Sequence, residues 1–402
     1  VLKTKIVNIN KIFTWNPGKD SLDILTNKQI LIENNLIFKI EDNIDYDCKI
    51  IDANNCSLTP GFIDSHTHPI FIGDRSIEFY NRAKGLTYED IKNSGGGILN
   101  SIKKVQDSSF DELFESSINN IKPFINHGTT TLEAKSGYGL SVEDEIKSLM
   151  VIKKINDELP IDIIPTFLGA HAIPQGYNSD DYVKLICEEM IPQVSEKKLA
   201  EFCDVFCEDG YFNINQSKKI LETAKKYNLL PRLHADEFKY FGASVLATEV
   251  GALSADHLMV INDKGIKALS KSKTIATILP GTTFFLNKKK YANGRKLIDS
   301  GCNLSIATDF NPGTCTMRSL PNIMHLSIQN CGLTLDESFL AVTYNAAKSL
   351  NRHQNRGLIK KEFLADLIFW DINKLEEIPY WFDSHNKIKK IFKNGLEVYK
   401  SS

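Results

Sequence analysis

The chain has 402 residues, of which 42% are hydrophobic and 24% charged, with a formal net charge of −2. That balance excludes a disordered or fibrous chain and supplies no global field to draw it onto nucleic acid or an anionic membrane. No run of about 18 continuous apolar residues occurs, and the start, "VLKTKIVNIN", lacks the basic-then-apolar layout of a secretory signal. The expectation is a cytoplasmic protein with no nucleic-acid or membrane partner.

In chain order, the first segments, "TKIVNINKIFTW" and "KQILIENNLIFKIED", alternate apolar and polar side chains as half-buried strands do, with a turn near "NPGKD". The far end reads the same way in "ADLIFWD" and "KIKKIFKNGLEVYK", where Asn-Gly signals a hairpin. The two β-rich ends, residues 1–60 and 358–402, are expected to build one small sheet domain from discontinuous pieces, with 61–357 as the larger central domain.

In the centre, short β-rich runs alternate with helix-length amphipathic segments such as "VEDEIKSLMVIKKINDEL", where Val142, Ile146, Leu149 and Met150 fall near helical spacing. Eight runs end in polar or ionisable residues: "GFIDSHTH", "GTTTLEAKSG", "IIPTFLGAH", "CDVFCED", "LPRLHADE", "LSADHL", "TIATILPGT" and "NLSIATDFN". Eight strand-plus-helix units are what an α/β fold of the TIM-like (β/α)8 barrel type requires. The competing doubly wound sheet lacks a GxGxxG opening a helix.

Five of the nine histidines, His66, His68, His171, His234 and His257, lie at or near the ends of those runs, where a barrel gathers its catalytic groups. Residues two apart on a strand share a face, so His66 and His68 can both reach one ion at about 2.0–2.1 Å. HxH alone is a weak signal; it gains weight from His234 in "RLHADE" and Asp309 in "IATDFN", which end later runs. Three imidazoles and a carboxylate leave a position for water, which a divalent ion would acidify to a pKa near 7. Zinc and iron both suit imidazole.

Glu237, three residues past His234, can relay a proton from that water to a leaving nitrogen, or be a plain surface or helix-start glutamate. His257 can polarise or protonate a carbonyl oxygen, or be a satisfied core histidine. Arg75 fits a substrate carboxylate bidentately, against a surface salt bridge. Tyr138 and His171 offer donors from loops, and "DFNPGT" adds Asn311, Gly313 and Thr314. Together these favour a small, polar, anionic ring compound.

Other features read as structural. Lys135 is expected as an ion-pair partner, and the fourth run carries no lysine to bridge two metals, although Glu208 at its end leaves a second ion open. "SGGGIL" at 94–99 lacks the Lys-Ser/Thr of a phosphate loop and is expected as a flexible loop over the barrel mouth. Cys203 and Cys207 are expected as buried reduced thiols, and the basic runs "NKKKYANGR" and "NKIKKIFKNG" as solvated.

The ordered set "PGFIDSHTH", "FIGDRSIEF", "GGGI", "TTTLEAKSGYGL", "LGAHAIP", "DVFCEDGYF", "HADEF", "SADHL", "LPGTTFFL", "RKLIDSG" and "ATDFNPGT" resembles the imidazolonepropionase family of the amidohydrolase superfamily. The resemblance implies a metal-dependent barrel capped by a β-sandwich from both termini, hydrolysing 4-imidazolone-5-propanoate to N-formimidoyl-L-glutamate in histidine breakdown. It implies His66, His68, His234 and Asp309 as ligands of one divalent ion, Zn2+ or Fe, with Glu237, His257 and Asp309 as the catalytic set. Arg75 would hold the propionate carboxylate, with Tyr138, His171, Glu237, Asn311, Gly313 and Thr314 around ring and product. Pro69 after the HxH and "KKKYANGRK" before "RKLID" depart from the family pattern without touching a ligand. The alternatives are a metal-dependent aminohydrolase acting on a purine or pyrimidine-like base, which would not need Arg75, and a binding barrel that has lost catalysis. A homodimer is expected as the commonest symmetric assembly.

Overall fold

The computed structural model describes residues 3–86, 90 and 96–401. Seven strands open the chain: β1 (Lys3–Val7), β2 (Lys11–Asn16), β3 (Ser21–Thr26), β4 (Gln29–Glu33), β5 (Leu36–Glu41), β6 (Lys49–Asp52) and β7 (Ser57–Pro60). Eight follow with helices between them: β8 (Phe62–Asp64), β9 (Thr129–Lys135), β10 (Asp162–Ala170), β11 (Phe202–Cys207), β12 (Leu230–Ala235), β13 (Ser254–His257), β14 (Ile275–Ile278) and β15 (Leu304–Ile306). The chain ends with β16 (Leu367–Trp370), β17 (Ile388–Lys393) and β18 (Leu396–Lys400).

β8 to β15 pair in parallel, each with its sequence neighbours, and every one corresponds to one of the eight runs read from the sequence. The ring closes at a seam just past the two end strands. There Thr67 bridges Phe310, the His68 N–H donates to the Phe310 carbonyl (2.8 Å), and the Asp309 N–H donates to the His66 carbonyl (3.0 Å). The (β/α)8 expectation is therefore met, and barrel closure itself brings "HTH" beside "TDF".

The helix Val142–Glu158 begins where Ser141 accepts the Asp144 N–H as a cap. Its buried face is Leu149, Val151, Ile152 and Ile155, whereas Met150 is 46% exposed. The expected stripe is thus corrected by one position, because at 3.6 residues per turn Met150 rotates off the face that Leu149 occupies.

Both chain ends contribute to a separate β domain of two sheets, ordered β5-β4-β1-β6 and β18-β17-β16-β7-β2-β3. Ile6, Ile30, Ile32 and Ile37 from the first pack on Ile12, Leu58, Leu367, Phe369 and Phe392 from the second, which makes the pair a sandwich. The segment "TKIVNINKIFTW" is not one strand. It breaks at Asn8 (φ 55°) into β1 and β2, which join different sheets, and β3 follows the "NPGKD" turn. The Asn-Gly hairpin is present between β17 and β18, with Asn394 at φ 52° and Gly395 at φ 77°, the two positive values a two-residue I′ turn requires.

All eight cysteines are free; Cys203 and Cys207 are buried in β11, where burial pushes the Cys207 thiol up to about 12. Among the described residues no helix is long and apolar enough to cross a membrane. The run "NKIKKIFKNG" is not uniformly solvated. Lys393 is 4% exposed and sits 2.6 Å from both Asp366 and Asp162, at the start of β10, and Arg356 also bonds Asp162 (Nε, 2.9 Å). A charge this deep in a β-rich run follows from the sheet domain packing on the barrel, which periodicity does not report.

Burial pushes the Asp162 carboxyl up, but Lys393 and Arg356 outweigh it and hold it below the usual aspartate range. Its stabilisation is therefore complete above the pH at which an unfolded aspartate ionises, and is lost as pH falls through the lower folded value. Asp162→Ala is expected to cost roughly 2–3 kcal/mol, read as a lower urea midpoint at neutral pH and a smaller difference from wild type in acid.

Candidate active site

The four proposed ligands meet at the barrel's closing seam. His66 and His68 follow β8, His234 lies near the end of β12 and Asp309 just after β15; all are buried. The Nε2 atoms of His66 and His68 are 3.2 Å apart and those of His68 and His234 3.3 Å apart, while Asp309 Oδ1 is 3.5 Å from Nε2 of both His66 and His68. Donors placed tetrahedrally at about 2.0–2.1 Å from one ion lie roughly 3.4 Å from one another. Burial, with neighbouring positive groups, holds the His66 and His68 rings well below the ordinary histidine range, so they are neutral. Neutral nitrogens and a carboxylate oxygen this close form a donor set that could hold one divalent ion.

Asp309 (φ 52°) and His257 (φ 79°) both take the left-handed backbone conformation that non-glycine residues rarely adopt. Strain of this kind costs on the order of 1–3 kcal/mol per residue and persists where surrounding structure over-determines it. At Asp309 the constraint is visible: its N–H is held by His66 and its Oδ2 accepts the Thr282 hydroxyl. Burial raises its carboxyl to about 6.

Behind the ligands lie buried charged groups, of which only Lys135 was expected from the sequence as an ion-pair partner. Asp256 Oδ2 is 2.8 Å from His66 Nδ1, which puts the proton on Nδ1 and turns the Nε2 lone pair toward the ion site. Arg232 holds Asp256 (3.2 Å) and the Ser65 carbonyl (2.7 Å). Asp204 Oδ2 lies 3.0 Å from His234 Nδ1, and Lys135 Nζ joins Asp204 (2.8 Å) to Glu133 (2.7 Å). Lys135 is thus the ion-pair partner expected of it. Burial pushes its ammonium down, but Asp204 and Glu133 outweigh that and keep it charged. The signal was present: Glu133, Lys135, Asp204, Arg232 and Asp256 are ionisable residues inside strands buried on both faces, where such side chains are almost never found unpaired.

Arg75, Tyr138, His171, Glu237, Asn311 and Thr314 line one cavity with His68, His234, His257 and Asp309. His171 Nδ1 donates to the Gly137 carbonyl (2.9 Å), and its ring stacks on His68 at 5.0 Å. His257 Nδ1 is 3.6 Å from Glu237, too far for a hydrogen bond, and burial holds His257 neutral. Burial, then Asp309 and Glu208, hold the Glu237 carboxyl well above its usual range. Glu208 is not among the clustered ligand groups. It accepts the Phe238 N–H (2.9 Å) and so anchors the loop carrying Glu237.

Arg75 Nε and Nη2 lie 2.8 and 2.7 Å from Glu78 Oε2, whose other oxygen accepts the Gly97 N–H (2.9 Å). A Cβ on Gly313 would stand 2.1 Å from Arg75 Nη1, so only glycine lets the guanidinium lie across that turn. Asn311 builds the turn with its whole amide: Oδ1 accepts from Gly313 and Thr314, and Nδ2 donates to the Asp309 carbonyl and the Thr314 hydroxyl. Phe206, Tyr211, Phe238 and Ile98 complete the walls; no motif marked them. Of the glycine run at 94–99, residues 94 and 95 lie outside the described residues.

Residues 57–398 match the amidohydrolase family, and this span covers the barrel, its seam and all four proposed donors. The chain belongs to the amidohydrolase family. It is 45% identical over 357 residues to a protein named imidazolonepropionase from Geobacillus sp. strain WCH70, covering 88% of this chain and 84% of that one. A Clostridium tetani protein of the same name is 40% identical over 396 residues, covering 96% and 94%. Among solved structures, E. coli guanine deaminase superposes with a TM-score of 0.75 at 13% identity over 100% of both chains. A Xanthomonas campestris adenosine deaminase with bound zinc superposes with 0.73 at 13% identity over 98% and 92%. At such identities the likeness is one of amidohydrolase fold.

Asp256→Asn is expected to weaken divalent-ion affinity about 10–100-fold, measured by competition with a chromophoric chelator. Gly313→Ala should leave that affinity unchanged while displacing Arg75, seen as weaker substrate binding.

Proposed function

We infer that this chain hydrolyses the ring amide C–N bond of 4-imidazolone-5-propanoate to N-formimidoyl-L-glutamate, a step of histidine degradation. The observation that carries the reading is one cavity lined by three of the four clustered donors, His68, His234 and Asp309, with His66 buried against them, and by an arginine, Arg75. The relatives named imidazolonepropionase, at 40–45% identity over most of the chain, support the same substrate.

His66, His68, His234 and Asp309 would hold one divalent ion, zinc or iron; when bound, it supplies the Lewis acidity that makes water a nucleophile at neutral pH. Arg75 receives the propionate carboxylate on the N–H groups that Glu78 leaves free, which fixes the ring's distance from the cage. Tyr138 and His171 border the ring on the side of His68. His257, held neutral, faces the ring carbonyl oxygen as a hydrogen-bond donor while charge develops there. Glu237 takes the water proton and delivers it to the ring nitrogen as the C–N bond opens. Burial beside Asp309 and Glu208 favours the protonated form of its carboxyl, which suits the half of this relay in which Glu237 holds a proton. Atoms balance with one water added and nothing expelled.

An aminohydrolase acting on a neutral base would place no demand on Arg75, and the deaminase structures share only the fold. Purified protein incubated with imidazolonepropionate should consume the ring absorbance, lose that activity on chelation and release no ammonia; retained absorbance with a full metal complement would reject the assignment. Arg75→Ala should raise KM about 10–100-fold, the loss of a charge-assisted contact, with a smaller effect on kcat. His234→Ala should abolish turnover.

A further inference from the structure

Below the four donors lies a second cluster of ligand-type atoms. A ring nitrogen of His66 and carboxylate oxygens of Asp204 and Asp256 all fall within 4.8 Å of one another, and all three residues are fully buried. Two carboxylates and an imidazole converging in a dry interior call for positive charge. The fold supplies it from within: Lys135 on β9 reaches Asp204 and Glu133 at 2.8 and 2.7 Å, and Arg232 on β12 reaches Asp256 at 3.2 Å. Both side chains are fully buried.

We propose that Lys135 is a built-in cation that fills this lower cluster, restricting the centre to a single divalent ion while holding Asp204 against the His234 ring. The inference rests on the reading that the upper four donors bind one ion. A second divalent ion among His66, Asp204 and Asp256 would take His66 through Nδ1, once that nitrogen gives up the proton it shares with Asp256, and would lie close to the Lys135 ammonium, 2.8 Å from Asp204; like charges at that range in a low-dielectric interior exclude one another. Replacing the ammonium with an uncharged side chain of similar length frees Glu133 and Asp204 and converts the lower cluster into an open site. Lys135 touches neither the cavity nor any of the four ligands, so its role is positioning and charge placement.

Equilibrium dialysis against excess Zn2+, followed by elemental analysis per chain, tests this without reference to turnover. Wild type is expected to hold one zinc and Lys135→Met two; adding Asp204→Ala to Lys135→Met should return the count to one, which places the second ion in the lower cluster. One zinc in Lys135→Met, two in wild type, or two retained after Asp204→Ala would each overturn the proposal. Should Lys135→Met fail to fold, Glu133→Gln with Lys135→Met, which removes one buried charge of each sign, takes its place with the same two-zinc expectation and the same meaning for a count of one. No zinc in wild type would instead sink the reading of the upper donors, so the two failures are distinguishable.

Discussion

Three imidazole nitrogens and a carboxylate oxygen converge at the barrel seam, with His68 Nε2 3.2 to 3.5 Å from each of the other three, an arrangement that repels itself unless a proton or a cation is shared among them. That convergence organises the centre of this protein. It lies on the seam where the first and last barrel strands meet, so closing the ring and assembling the cage are one event: the hydrogen bonds that join His66 and His68 to Asp309 and Phe310 do both. The left-handed backbone at Asp309 is the local cost of turning its carboxylate back into the ring, and the Thr282 hydroxyl and the His66 carbonyl hold it there.

Polar support radiates from the cage in two matched arms. Arg232 holds Asp256, which orients His66, and Lys135 holds Asp204, which abuts His234. Each arm crosses the barrel interior from strand to strand, so the rings cannot swing without disturbing paired buried charges. On the substrate side, Glu78 and Gly313 do for Arg75 what the arms do for the histidines. One takes up Nε and Nη2, and the other leaves the space in which Nη1 lies. In the proposed reading, a cage and a clamp at a fixed separation would select a ring carrying a carboxylate at one distance from the bond to be broken.

Much of this was legible in the sequence, for a physical reason particular to barrels. Parallel strands buried on both faces read as apolar runs, and catalytic side chains cluster just past their carboxyl ends, so all eight strands and the five clustered histidines could be found by looking where such runs stop. Met150 and the strand written through Asn8 were misplaced because a turn of helix or a single left-handed asparagine redirects side chains without changing hydrophobic spacing. The burial of Lys393 does not show in its basic run, because its acidic partners, Asp366 and Asp162, lie 27 and 231 residues away.

By its own pattern the sequence determined the eight-strand order and the sandwich edges at both ends, and it singled out the four residues proposed as donors and Arg75 as the proposed carboxylate partner, since these readings depend on residue type and local spacing. Only the tertiary structure decided which carboxylate backs which histidine, that Glu208 steadies a loop, that Asn311 is consumed by its own turn, and that Lys135 lies under the cage. Those pairings join residues tens to hundreds apart through the barrel interior. A buried charge is stabilised by what stands beside it in space, which linear spacing does not encode.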